Sequence, residues 1–548
     1  MNSETLLDDL DIYNPSEVDS YNLLSFEQEP AWVSNNPYLD ILSPRFFSDQ
    51  DKINWADLPI RVGRMFYEAE IKYSGRNIAL ERAAEIVRLV SEGAFLPNSP
   101  VMMNSESDTT VNLFACHVLS PPSNIDDFDI AKKIHDGCGG IGYDFACIDD
   151  PISATLYIEA QTELLNPNRK RKAHSAVTLP YTHPKIIDFI GLGSKLTITH
   201  TNVEFDEEFF IDLSNQHPAA INLWAIFCNS IYNTGRPSLS FSAEKAKRSN
   251  SKLINNVCGE SLLRENESSL IGSLNLTKFV ENNEFNFDSF LEAAKLGLRC
   301  LDNLHDIQDH ASRTVQDRCL ESRKVGVGVM GYSDALLLLN IRYGSEESFV
   351  FIEKLMSLLK ETLTNESEIL GQERGFCAEN LLLKGVKPRR NASLMAIPAN
   401  GTLSLIANVC GGIEPPFSYL IKQKIQDKDI YQLQPTFKFI LNHHNIDTTF
   451  VFNELISGKD VQSISVLKES FKNILVVAND LTTEEHVLTQ AKFQSFIDGG
   501  ISKTINLPNS ATVNDIKDAI LLAKDKGCIG ISLYRNGSLD NQPTQSGN

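Results

Sequence analysis

Residues 499–534 read GGISKTINLPNSATVNDIKDAILLAKDKGCIGISLY. The first ten, GGISKTINLP, form an apolar and partly β-branched run closed by Pro508, which reads as a strand. Thr512-Val513-Asn514-Asp515 has the form of a capping box, and IKDAILLAKDKG then carries apolar side chains at helical spacing as far as Gly527. CIGISLY supplies a second strand. A strand, a helix and a strand in that order make a βαβ unit, whose crossover is right-handed and whose strands are parallel. Similar alternation of apolar strands and amphipathic helices recurs through residues 290–410, so the fold class is α/β.

Working toward the amino terminus, IALERAAEIVRLVSEG places Leu80, Ala83, Ala84, Val87 and Val90 on one helical face and ends in Gly93, a C-cap glycine. VNLFACHVL, farther on, reads as a short buried strand carrying Cys116. No long Pro, Gly or Ser linker and no internal repeat divides the remainder, so one large domain is expected over residues 60–540. Ahead of it, residues 1–59 form an arm. Its first 44 residues hold nine acidic side chains, the first basic residue being Arg45, and Leu6, Leu7, Leu10, Tyr13, Leu23, Leu24, Phe26 and Trp32 could dock it. Residues 541–548 form a short tail.

The 548 residues are 42% hydrophobic and 22% charged, which fits a soluble globular chain and excludes disordered and collagenous classes. A net charge of −21 opposes binding to nucleic acid polymers or an anionic membrane. Without a signal-peptide pattern or an 18-residue apolar run, the expected location is cytoplasmic. Ten cysteines, with no Cys-x-x-Cys pair, argue against a zinc site or a disulfide framework.

Gly137-Cys138-Gly139-Gly140-Ile141-Gly142 satisfies the dinucleotide fingerprint, but a helix-like segment precedes it and a strand-like one follows, the reverse of what that site needs. A loop that lets substrate approach the backbone is the remaining functional reading. Asn256-Val257-Cys258-Gly259-Glu260 is more informative. In an extended segment, residues two apart share a face, so amide, thiol and carboxylate would line one surface. That trio suits a thiyl radical taking hydrogen from a sugar carbon while the carboxylate accepts a hydroxyl proton. Alone, the five-residue motif occurs by chance and favours a buried structural cysteine.

Other segments add to it in collinear order: LPNSPVMMNS, LFACHVL, CGGIG, RKRKAHSAVTLPYTHPKIIDFI, NNVCGE, GSLNLTKFV, LDNLHDI, RKVGVGVMG, RRNASLMAIPANGTLSLIA, GGIEPPF, FQSFIDGGISKTINLP and GCIGISLYRNGS. Together they resemble ribonucleotide reductase catalytic subunits, most like the class II, adenosylcobalamin-dependent branch. The resemblance implies a ten-stranded α/β barrel with a central finger loop. It implies that Cys258 carries the thiyl radical, that Glu260 is the base at the 3′-hydroxyl, that Asn256 assists, and that Cys116 is one of two reducing cysteines. It places substrate phosphate at the turn Pro398, Ala399, Asn400, Gly401, Thr402, Leu403 and Ser404, helped by Ser99, with Gly140 in the glycine loop beside the substrate. The implied cofactor is adenosylcobalamin. The alternative, a radical from a ferritin-like subunit, needs a Tyr-Tyr relay where this chain has Leu533-Tyr534. The implied partners are a ribonucleoside di- or triphosphate and a second copy in a homodimer, with an activator protein as a candidate to dock on the acidic arm.

Two departures matter. Serine, Ser269, stands where the second reducing cysteine belongs, and the tail lacks the cysteine pair that recharges it. The stretch between Cys147 and His174, where relatives set specificity and effector response, is shortened. Three readings follow: a reductase using formate, an external thiol, or Cys138 or Cys410; a radical enzyme that dehydrates, epimerises or rearranges a nucleotide; and a non-catalytic nucleotide-binding relative.

Overall fold

The protein is described here from a computed structural model covering residues 29–538 except 35, 37, 49–52, 106–111, 123–124, 168, 382–386 and 426–427. Most of the acidic arm and the tail at 541–548 therefore lie outside the described residues, as does Asn168. Ten strands form one sheet: β1 (Phe95–Pro97), β2 (Cys116–Leu119), β3 (Gly140–Asp144), β4 (Ser175–Pro180), β5 (Thr199–Phe205), β6 (Ser238–Phe241), β7 (Glu267–Asn275), β8 (Val325–Met330), β9 (Thr504–Leu507) and β10 (Gly530–Arg535).

The sheet has two halves. Strands β2 to β6 lie side by side in chain order, all parallel. In the other half β7 is parallel to β8 and β9 is parallel to β10. The halves meet antiparallel, β10 against β6 and β7 against β2. Between β8 and the start of β9, Met395 and Ile397 make isolated parallel bridges to Val327 and Ile501. The two ends of the sheet are thus tied by single bridges rather than by a full ladder. The βαβ unit expected at 499–534 is present: β9, a helix at Val513–Asp525 and β10, with Thr512 and Asp515 forming a reciprocal capping box.

Strands covered on both faces are buried throughout: all nine residues of β7, five of them polar, and all six of the apolar β8. Helices Asp57–Ser74, Arg76–Glu92, Phe287–Leu304 and Glu346–Arg374 cover the β7–β8 side, and Pro218–Thr234 and Val513–Asp525 help cover the other. The helix 76–92 ends at Gly93 in the left-handed region (φ +69°), as its sequence implies. Its buried face differs at two of the five expected positions: Ala83, Val87 and Val90 are buried, together with Ala79, Ile86 and Leu89, whereas Leu80 is half-buried and Ala84 exposed. Nor does this helix open the body. The described residues of segment 30–59, assigned to the arm from sequence, pack onto the body: Trp32 donates through Nε1 to Val90 O (2.8 Å) and meets Trp55 edge-on. The apolar residues there bury enough surface to hold the chain in place. Among the described residues no helix is long and apolar enough to cross a membrane, and no group of three His, Cys, Asp or Glu is placed to hold a metal ion.

Three collinear blocks meet at one buried ionic cluster. Asp302, from LDNLHDI, accepts from Arg323 Nε (2.8 Å) and Asn391 Nδ2 (3.0 Å), and lies against Arg374 (3.3 Å) and Arg390 (3.4 Å). This locks the entry of β8 to the segment that continues into residues 395–404. The guanidiniums hold the Asp302 carboxyl well below the usual carboxylate range despite its burial. Asp302→Ala leaves three buried cations short of their partner and is expected to cost about 3–5 kcal/mol, read as a lower urea midpoint. The depressed folded value means that this stabilisation is complete above the unfolded aspartate pKa. It is lost only as pH falls below about 4 toward the folded value.

Candidate active site

A two-stranded hairpin, Ile254–Asn255 with Leu262–Leu263, carries residues 256–261 at its tip. The tip is closed by Asn256 N–H to Ser261 O (3.1 Å), Gly259 N–H to Asn256 O (3.3 Å) and Ser261 N–H to Asn256 Oδ1 (3.0 Å). Gly259 takes φ +77°, which allows the chain to reverse. The trio is therefore not on an extended strand, as its spacing suggested. Asn256, Cys258 and Glu260 come together because a tight turn folds them together.

Glycines grip this finger from both sides. A Cβ at Gly142 would stand 2.2 Å from Asn255 O, and one at Gly500 would stand 2.0 Å from Gly259 O. Gly500 N–H also donates to Glu260 O (2.7 Å). The glycine loop thus admits the backbone of the finger. Val257 Cγ2 lies 3.0 Å from where a Gly140 Cβ would be, so the side chain that meets Gly140 is Val257.

Cys258 opens onto a cavity of about 710 Å³ between the finger and strands β4, β5, β6, β9 and β10. Its side chain is accessible from that cavity yet enclosed by protein. Burial, and then the Glu260 charge, push the thiol up to about 12. It is a neutral S–H at physiological pH, suited to hydrogen-atom transfer rather than to nucleophilic attack. Glu260 is buried, and burial raises its pKa against the pull of Cys116, Asn256 and Arg171. Its Oε1 accepts from Cys116 Sγ (3.2 Å), whereas buried Oε2 has no partner. An orphaned buried acceptor fits a ligand hydroxyl. Burial likewise raises the Cys116 thiol well above its ordinary value.

Strand β7 organises the remaining candidates. Ser269 stands directly opposite Cys116 in the antiparallel β2–β7 ladder, and its hydroxyl donates to Lys324 O (3.3 Å). Ile271 O accepts from Asn98 N–H (3.0 Å), and Asn98 caps the helix Ser99–Asn104 that begins with Ser99. Ser273 Oγ donates to Asn400 Oδ1 (3.0 Å) in the turn 398–404. Asn400 is left-handed (φ +56°), which turns the chain into the short helix Gly401–Ala407. Of the alternative thiols, Cys410 lines the Cys258 cavity, and Cys138 lies at a left-handed position whose carbonyl accepts from Arg171.

The sequence reading missed two features. Thr201 and Tyr534 line the Cys258 cavity, and the hydroxyl of each is buried without a partner; nothing local in sequence marks them, because they sit on separate strands. Arg45 reaches the turn, with Nη1 3.5 Å from Thr402 Oγ1, from a segment read as arm.

In architecture the chain is an α/β barrel of the ribonucleotide reductase type: the Actinobacillus ureae class Id ribonucleotide reductase alpha subunit superposes with a TM-score of 0.76, covering 93% of this chain and 99% of that one at 19% identity. The family model "Ribonucleotide reductase, barrel domain" matches residues 204–381 and 378–534, more than half of the sequence, and the chain belongs to this family. A vitamin B12-dependent ribonucleoside-diphosphate reductase of Thermoplasma acidophilum is 29% identical over 492 residues, covering 81% of this chain and 64% of the relative. One from Mycobacterium tuberculosis (strain ATCC 25618 / H37Rv) is 27% identical over 537 residues, covering 89% and 75%. The chain thus spans less than two thirds of the first of these relatives.

Proposed function

We propose that this chain acts on a ribonucleotide by taking the C3′ hydrogen with a Cys258 thiyl radical, and that it yields a 2′-deoxyribonucleotide with a reductant other than an internal dithiol. The observation that carries this reading is the finger tip, where Cys258 faces a cavity, Glu260 keeps one oxygen unpartnered, and Cys116 bonds the other. In the first step the sulfur radical gains hydrogen and the sugar carbon becomes the radical. Glu260 then takes the 3′-hydroxyl proton while the Cys116 thiol, hydrogen-bonded to Glu260 and reprotonated from it, gives a proton to the 2′-hydroxyl, which leaves as water. Two electrons must enter before hydrogen returns from Cys258 to C3′. Cys116 cannot supply both by closing a disulfide onto Ser269, and among the described residues no contact joins it to Cys138 or Cys410, so formate, oxidised to carbon dioxide, or an external thiol pair is the donor proposed.

The vitamin B12-dependent relatives support cobalamin as the radical source. The cavity beside Cys258, at about 710 Å³, has room for the nucleoside part of such a group rather than for the whole of it, and Thr201 and Tyr534 bring unpartnered hydroxyls to it beside His200, Asn202 and Asn506. These residues would hold the group. Adenosylcobalamin, when bound, supplies a carbon-centred radical able to accept hydrogen from sulfur. Homodimer formation, and an activator on the acidic arm, belong to the same proposal.

The test is incubation with adenosylcobalamin and each ribonucleoside di- and triphosphate, with formate or dithiothreitol, resolving products by mass. A deoxynucleotide supports the reading. An altered sugar without consumption of reductant favours the second reading, a dehydratase or epimerase, to which Ser269 opposite Cys116 lends weight. Residues directly opposite in an antiparallel pair have Cα atoms within disulfide range. Ser269→Cys is therefore expected to form a disulfide with Cys116 under mild oxidant, seen as the loss of two hydrogen atoms by intact mass, and to raise dithiothreitol-driven reduction severalfold. A disulfide without added reduction would favour the second reading.

A further inference from the structure

The segment ahead of the sheet straps the turn at 398–404 at both ends. Asn36 Nδ2 donates to the carbonyls of Leu405 (3.0 Å) and Ile406 (2.9 Å), in the last turn of the helix 401–407. Arg45 Nη1 meets Thr402 Oγ1 in its first turn. Between these two contacts, helix Leu39–Phe46 packs on helix Ser99–Asn104. Ser99 and the turn, far apart in sequence, are thereby held by one strap.

The charges on this strap are unusual. Arg45 is half-buried, and the charged group acting most strongly on it is another cation, Arg171. Arg171 donates through Nη1 to Cys138 O (2.8 Å), and its charge is felt at both Cys258 and Glu260. Among the described residues, neither guanidinium has a carboxylate within ion-pair distance. Burial and Arg171 together push the Arg45 pKa down. Asp302, by contrast, neutralises Arg323, Arg374 and Arg390. Two partly desolvated like charges destabilise each other until an anion sits between them. The turn beside Arg45 has room for one. Ala399 and Gly401 are exposed, and a Cβ at Gly401 would meet nothing within 4 Å.

We propose that Arg45, together with Arg171, holds the outermost phosphate of the nucleotide and makes the site select polyphosphates over monophosphates. The inference rests on the reading of the site as a nucleotide site. A guanidinium presents a planar fork to phosphate oxygens, so each contact is charge-assisted and directional. The base and sugar lie outside its reach, and their contribution to binding is independent of it.

The experiment is calorimetric titration of the full chain in a Cys258→Ala background, which prevents turnover, with cytidine and its mono-, di- and triphosphates. Arg45→Gln is expected to weaken diphosphate binding by about 10- to 100-fold, the range of one charge-assisted contact. Cytidine and monophosphate binding should change little, and Arg45→Lys should recover part of the loss. Arg171→Gln should behave as Arg45→Gln does. Unchanged diphosphate affinity in both glutamine variants overturns the proposal, and so does an equal loss for cytidine, which would mark the strap as purely structural. If Arg45→Gln fails to fold, Arg45→Lys decides by the same comparison of di- with monophosphate. Binding of no nucleotide by the background protein would instead overturn the function proposed above, and this inference with it.

Discussion

Cys258→Ala is expected to lower turnover by at least about 10⁴-fold, the scale on which removal of a reacting group acts, with nucleotide affinity and thermal midpoint close to those of the parent. The thiol projects into the cavity rather than into packed core, so shortening it opens no new void. The turn that presents it is closed by backbone and Asn256 hydrogen bonds that alanine leaves intact. Product formation followed by mass, beside calorimetric binding, separates the two effects. Retained turnover in this variant would remove Cys258 from the chemistry, and with it the reading of the finger as a radical site.

Glu260→Gln should cost about 10²- to 10⁴-fold in kcat/KM, the usual worth of a positioned base. The amide keeps the shape and can still accept from Cys116, so the loss reports proton transfer. Burial raises the Glu260 pKa. The base form therefore fills only above the ordinary glutamate value of about 4.3. The acid limb of the kcat/KM profile should lie above that value and disappear in Glu260→Gln. Stability carries the opposite sign from the Asp302 case. A carboxyl whose folded pKa is raised destabilises the fold progressively as pH rises from its unfolded toward its folded value, and the penalty persists above that. The glutamine variant should then be at least as stable as the parent at neutral pH. An unshifted acid limb would show that Glu260 is not the titrating base.

Local signals carried far in this chain where one element alone was at stake. The capping box at Thr512, the stop at Gly93 and the short buried strand carrying Cys116 depend on neighbours within a few residues, and each is where its sequence places it. Alternation failed at Asn256, Cys258 and Glu260, because one left-handed glycine converts an apparent strand into a turn. It failed to explain Gly142 and Gly500, because the atoms that forbid a side chain there belong to a hairpin more than a hundred residues away in each case.

The amino-acid sequence by itself determined the α/β class, the parallel terminal βαβ unit, the identity of the thiol, amide and carboxylate on the finger, and the serine that replaces a thiol at position 269. The first two follow from residue type and short-range periodicity, and the last two from the resemblance of the collinear segments to the reductase family. The tertiary structure alone decided that Ser269 faces Cys116 across a ladder, that Arg45 leaves the arm to reach Thr402, and that Asp302 gathers three arginines from separate blocks. Each of these juxtaposes groups whose separation along the chain carries no information about distance. They exist because two halves of a sheet, running in opposite directions, bring distant segments to one interior where unpaired charge and unsatisfied hydrogen bonds are costly.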